Sequence, residues 1–228
     1  MATPARALLD RRQAIAPQIH RILRERIVGL AWPPRTQISR AEVATSFGVS
    51  QTPVREALLR LEADGLVDVY PQSRTEVAPI DVARLHEVQF LRRALELEVA
   101  LTVAALPGRA GLDTVQAVVD EQRALARDDA AMDRFMALDR AFHQGLFHLA
   151  GQDALHTLMM ARSADLDRVR RLHLPLKGKR LAIVQDHQAI VDALRSGKER
   201  AVVAAVRGHL SGTAASLDTL MARFPEYF

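Results

Sequence analysis

The sequence predicts a mainly α-helical protein: an N-terminal winged helix-turn-helix with a small β-hairpin wing, then a C-terminal all-α helical bundle. Three observations point there. Nearly half of the residues are apolar but only 4% are aromatic, and alanine and leucine dominate, a balance that favours helices over sheets. Apolar positions recur at helical spacing along almost the whole chain. The exception is a pair of short β-like runs near residue 70 that flank a turn. At 228 residues the chain is long enough for one large domain or two modest ones.

The elements follow in order. Ile15, Ile19, Ile22, Leu23, Ile27 and Leu30 mark a helix over 14–30. Trp32-Pro33-Pro34 ends it, because a residue before proline is pushed out of the α region. Ser39 is placed to cap a short helix from Arg40 to Phe47, which Gly48 breaks. The next helix starts near Ser50 or Thr52, where Thr52-Pro53 makes a cap and first-turn pair, and Gly65 closes it. Leu66–Tyr70 and Thr75–Ala78 read as a hairpin around Pro71-Gln72-Ser73-Arg74. Beyond Pro79, with Asp81 as a cap, only helices are expected, over 81–105, 111–127, 130–149, 152–173, 179–196 and 198–223. The domain reading is a disordered lead over 1–13, a winged module over 14–80 and a helical effector-binding and dimerisation domain over 81–228.

Charge separates the two ends. Residues 1–60 hold ten arginines against four acids, a local +6, although the whole chain is only +4. A basic excess confined to one end suits a polyanion-facing module joined to a neutral one. No run of apolar residues is long enough to cross a membrane, and the first residues lack the apolar stretch of an export signal. The cytoplasm is therefore the expected compartment. With no cysteine, a disulfide scaffold or thiolate metal site is excluded.

In a winged helix-turn-helix the second helix of the pair enters the major groove with its N-terminal residues at base edges. Ser50, Gln51, Thr52 and Arg55 occupy that turn here. Hydroxyls and a helix N-terminus suit phosphates, glutamine pairs with adenine and arginine with guanine. Arg40 and the wing-tip Arg74 are secondary DNA-binding candidates. The alternative reading has Ser50 and Thr52 only capping, with Arg55 paired to Glu56 or Glu62. The hairpin and the charge asymmetry favour the DNA-reading role.

In the helical part, Phe135, Leu138, Phe142, Leu146 and Leu149 mark a buried stripe. Asp139 and His143, four apart, border it on one face. Ile183, His187, Ile190 and Leu194 place His187 where a core hydrophobe belongs, and Val202, Val206 and His209 do the same for His209. Three histidines and one aspartate facing inward make an N₃O set suited to zinc first, and also to nickel, manganese or iron. His20, His86, His148, His156 and His173 lack this geometry and read as surface or satisfied residues. Arg92, on the stripe of Val88, Leu95 and Val99, also faces inward. It either pairs internally with Glu96 or receives a carboxylate effector bidentately. Arg162, between Leu158 and Leu166, is a weaker candidate for the same effector role.

The stretch GVSQTPVREALLRLEADGLVDVYPQSRTEVAPI (48–80) resembles the DNA-binding domain of the GntR family of bacterial transcription regulators. The resemblance covers residues 18–80. Gln51 stands where that family usually has arginine, Arg35 where its turn has glycine, and Arg74 at a wing position often held by glycine. FLRRALE (90–96), DRAFHQGLFHLAGQDAL (139–155), DHQAIVDALRSGK (186–198) and the His209-Leu210 pair resemble the FCD ligand-binding domain of the FadR branch. That resemblance implies a divalent metal held by Asp139, His143, His187 and His209, the same four chosen by periodicity. It also makes Gln152, after Gly151 where the family commonly has asparagine, an effector-binding candidate.

The expected function is a ligand-responsive repressor, a homodimer on a pseudo-palindromic operator that is released by a small organic acid. Two rivals stand beside it: a metal-dependent hydrolase, for which no inward glutamate is read as a general base, and a direct metal sensor.

Overall fold

The computed structural model describes residues 9–109, 111–212 and 214–228. By contacts the chain divides into two units. Residues up to Val82 group with Arg223–Phe228, and Ala83–Ala222 form the other.

The first unit is built on α1 (Ile15–Val28), α2 (Arg40–Phe47) and α3 (Gln51–Ala63). Ile19, Leu23 and Ile27 of α1 pack with Phe47, Val54, Leu58 and Leu61 as its core. Ser39 Oγ accepts the Glu42 N–H, the capping bond that its position predicts. Gly48 then takes the left-handed conformation, φ 63° and ψ 46°, that turns the chain from α2 into α3. The N-cap of α3 is Ser50, so Thr52 and Pro53 lie inside the first turn instead of at its start. The predicted hairpin forms as β1 (Val67–Val69) and β2 (Thr75–Val77), antiparallel, with Asp68 opposite Glu76.

The segment around 35–38 adds an edge to that wing, which the sequence pattern does not show. Arg35 N–H donates to the Val77 carbonyl at 2.8 Å, and Ile38 N–H to Thr75 at 2.8 Å. Arg35 sits at φ 67° and Gln72, in the wing turn, at φ 56°. Left-handed backbone costs a non-glycine residue about 1–2 kcal/mol, which gives a physical reason for glycine at the position of Arg35 in related sequences. The Ile80 N–H donates to the Tyr227 carbonyl at 2.8 Å, tying the C-terminal segment to this unit. Of the lead expected to be disordered over 1–13, the first eight residues lie outside the described ones. Residues 10–13 form a bonded turn, with Asp10 Oδ1 accepting from Arg12 N–H and Gln18 clasping the Asp10 backbone.

The second unit contains α4 (Val82–Ala105), α5 (Leu112–Leu125), α6 (Met132–Leu149), α7 (Asp153–Ala161), α8 (Ala164–His173), α9 (Lys179–Ser196), α10 (Glu199–Ser211) and α11 (Leu217–Arg223). Helix α5 packs on both α6 and α9, and α10 on α9. Val103, Val119, Phe135, Phe142, Val191, Leu194 and Val202 form the shared core. Two predicted helices are each split. The span 152–173 breaks at Arg162-Ser163, and 198–223 ends its first helix at Ser211. Among the described residues no helix is long and apolar enough to cross a membrane.

Candidate metal centre and nucleic-acid interface

In the first unit, Arg40, Gln51, Arg55 and Arg74 line one open cleft between the N-termini of α2 and α3 and the wing. Ser50 and Thr52 are exposed beside it. The cleft is built locally: Ser50 starts α3, Val54, Ala57 and Leu58 turn its inner face to the core, and the polar residues therefore face out. Ser50 makes no side-chain capping bond, and Arg55 forms no ion pair with Glu56 or Glu62 among the described residues. The capping-only and internal-pair alternatives thus have no contact behind them. Arg74 is held over the Tyr70 ring at 4.1 Å, with its Nε 2.7 Å from Glu76 Oε2.

In the second unit, His143 on α6, His187 on α9 and His209 on α10 meet, one nitrogen of each within 4.8 Å of the others. The Nε2 atoms of His143 and His209 are 3.4 Å apart. Asp139 Oδ1 lies 3.7 Å from His187 Nε2, and among the described residues neither atom has a hydrogen-bond partner. Ligands at about 2.0–2.2 Å from a tetrahedral ion sit about 3–3.5 Å from one another. The spacings and the orphaned lone pairs therefore fit a divalent cation with little adjustment.

The surroundings hold these groups in a ligating state. His187 is fully buried, stacked on Phe142 with ring centroids 3.9 Å apart, and its Nδ1 faces Gln122 Oε1 at 2.8 Å. An amide oxygen only accepts, so Nδ1 carries the proton and Nε2 keeps its lone pair for the cluster. Burial, then His209 nearby, pushes His187 well below the usual histidine value. Burial likewise lowers His143, although Glu96 opposes it. For Asp139, burial acts upward but Arg170, whose Nη2 is 2.8 Å from Oδ2, and His143 hold the carboxyl well below its usual range. Neutral imidazoles and an ionised carboxylate are the protonation states a metal requires.

Arg92 realises the internal alternative: its Nε donates to Glu96 Oε1 at 2.7 Å, and its Nη2 faces His143 Nε2 at 3.2 Å. Glu96 is itself part of the cluster, with Oε2 2.8 Å from His143 Nδ1. The expectation that no glutamate faces inward is thus corrected. Arg92 and His143, outweighing burial, hold Glu96 well below the usual carboxylate range. Gln122, Glu96 and Arg170 were missed as members of the site. Their signal was available, since each is a polar residue on an otherwise apolar face. The other two effector candidates are placed elsewhere. Gln152 is exposed at the N-cap of α7. Arg162 is exposed at the C-cap of α7, because the helix ends there and Leu158, its supposed stripe neighbour, is 53% exposed. His156 and His173, read as surface or satisfied, are buried without a printed side-chain bond between them and a partner: the Nε2 of His156 is unpartnered among the described residues.

Comparison with known proteins fits both units. Residues 87–212 match the FCD domain, and residues 15–77 match the gntR family of bacterial regulatory proteins. A transcriptional regulator of Streptomyces ambofaciens, uncharacterized and of the helix-turn-helix type, is 36% identical over 206 residues, covering 90% of this chain and 86% of that protein. The chain belongs to the GntR family, with an FCD domain. The transcriptional repressor RspR of Escherichia coli K12 is 30% identical, covering 96% of both chains. In fold, this GntR-family chain is similar to E. coli McbR (TM-score 0.71, 20% identity, 93% of this chain and 99% of that one). A putative GntR regulator of Rhodococcus sp. RHA1 is equally similar (TM-score 0.71, 22% identity, 90% and 99%). A GntR-family regulator is a DNA-binding transcription regulator and not an enzyme, so the hydrolase reading is set aside.

Proposed function

We propose that this GntR-family regulator is a ligand-responsive repressor, a homodimer on a pseudo-palindromic operator. Ser50, Gln51, Thr52 and Arg55 read the DNA, with Arg40 and Arg74 on phosphates. A divalent metal, zinc first, is held by Asp139, His143, His187 and His209. The observation that carries the effector half is the convergence of three histidine nitrogens within 4.8 Å beside two unpartnered buried ligand atoms. When bound, the ion supplies a Lewis-acidic anchor for a carboxylate oxygen.

The chain's own residues supply the rest. Arg92 and Arg170 border the same cavity as His209 and bring positive charge to an incoming acid. A carboxylate there competes with Glu96 and Asp139 for those two guanidiniums, and so rearranges the contacts among α4, α6 and α8. Operator affinity changes only to the extent that the acid binds one arrangement better than the other. The repressor assignment draws on the likeness to RspR, which is described as a repressor.

Fluorescence anisotropy on labelled operator DNA tests this reading. Metal-loaded protein should release the operator when a small carboxylate is added, and chelated protein should not. Release by metal alone would favour direct metal sensing, and release by the acid irrespective of metal would contradict the proposed site.

A further inference from the structure

The cavity that opens on His209 has more positive charge and more unpaired donors than one carboxylate needs. It occupies about 540 Å³ including its mouth. Two of its cations are already committed, Arg92 to Glu96 and Arg170 to Asp139. Lys179, the first residue of α9, and His173, at the end of α8, also line it, and neither side chain has a hydrogen-bond or ion-pair partner among the described residues. His173 is only 6% exposed. The Nε2 of Gln89, another lining residue, is buried and unpartnered too. Asp186 is the acid in the lining, and its Oδ2 is 3.6 Å from His209 Nδ1.

A half-buried ammonium, a buried imidazole and a buried amide donor, all without partners, are costly unless something satisfies them. Lys179 is desolvated enough that burial lowers its pKa against the pull of Asp186, and it bears on His173 directly. These groups come from α8, α9 and α4, so their convergence is a tertiary feature and not the accident of one helix end. All three can donate hydrogen bonds, and an anion accepts from each of them.

We propose that Lys179 and His173, with Gln89, form a second anion subsite, and that the effector is a small dicarboxylate whose distal carboxylate binds there. This rests on the reading of the proximal carboxylate at the metal. The distance between the two subsites sets chain length, so selectivity among dicarboxylates follows from the cavity as well as from charge.

Calorimetry on fully metal-loaded, full-length protein tests it, using succinate, glutarate and adipate against butyrate, pentanoate and hexanoate. At least one diacid should bind about tenfold or more tighter than its matched monoacid, the range of a charge-assisted hydrogen bond. Lys179→Met keeps the apolar stem. It should erase that preference while leaving monoacid affinity unchanged, and Lys179→Arg should restore it. Equal binding of both series by wild type, or a preference that survives in Lys179→Met, overturns the second subsite but leaves the metal-site reading intact. Wild type that binds neither series overturns both.

Discussion

His187 presents its Nδ1 to Gln122 Oε1 at 2.8 Å, so the opposite nitrogen, Nε2, faces the histidine cluster with its lone pair free. Orienting partners of this kind typically alter metal affinity by about 10–100-fold. Gln122→Leu should therefore weaken metal binding by about that range, measured by competition with a chromophoric chelator. Unchanged affinity would show that packing on Phe142 alone sets the ring.

Arg92 and Glu96 form a buried ion pair on one face of α4. Removing one member leaves the other charge buried and uncompensated, at a cost of about 3–5 kcal/mol. Arg92→Ala should lower stability in urea by about that amount, while the double replacement Arg92→Leu with Glu96→Leu should recover most of it. Additive losses in the double variant would contradict the pairing.

The division between what was legible in the sequence and what was not follows the range of the signal. Helix periodicity located Asp139, His143, His187 and His209, because an inward polar residue on an apolar stripe marks itself. The hairpin was legible from Pro71 and the alternating runs beside it. Breaks were harder to read. Nothing at Arg162-Ser163 is a glycine or proline, so the split between α7 and α8 left no mark, and the effector role read for Arg162 depended on a continuous helix. Partners across helices were also invisible: Gln122 is 65 residues from His187, and only the packing of α5 on α9 brings them together.

Arg55 is exposed at the start of α3 and free of acidic partners. Arg55→Ala should cost about 1–3 kcal/mol in operator binding if it reads a guanine, and should relax specificity at one position. Arg40→Ala should instead weaken all sequences alike and reduce the salt slope by about 1. Anisotropy titrations over several salt concentrations distinguish the two patterns.

His173 titrates at about 4, lowered by burial and by Lys179, against 6.5 when unfolded. Between those values the unfolded chain binds a proton that the folded chain refuses, so this residue costs stability as pH falls from 6.5 towards 4. Above 6.5 it contributes no pH dependence. His173→Gln should make the metal-free protein lose less stability over that window, read from denaturant melts. Parallel pH profiles for the two proteins would contradict the assignment.

The central claim is that the three histidines and Asp139 hold a metal, and metal content per chain tests it most directly. After incubation with zinc and exhaustive dialysis, elemental analysis of wild type should give about one ion per chain. Folded His187→Ala, treated identically, should retain little or none. A wild type that retains no metal, or a His187→Ala variant with full occupancy, would contradict the account.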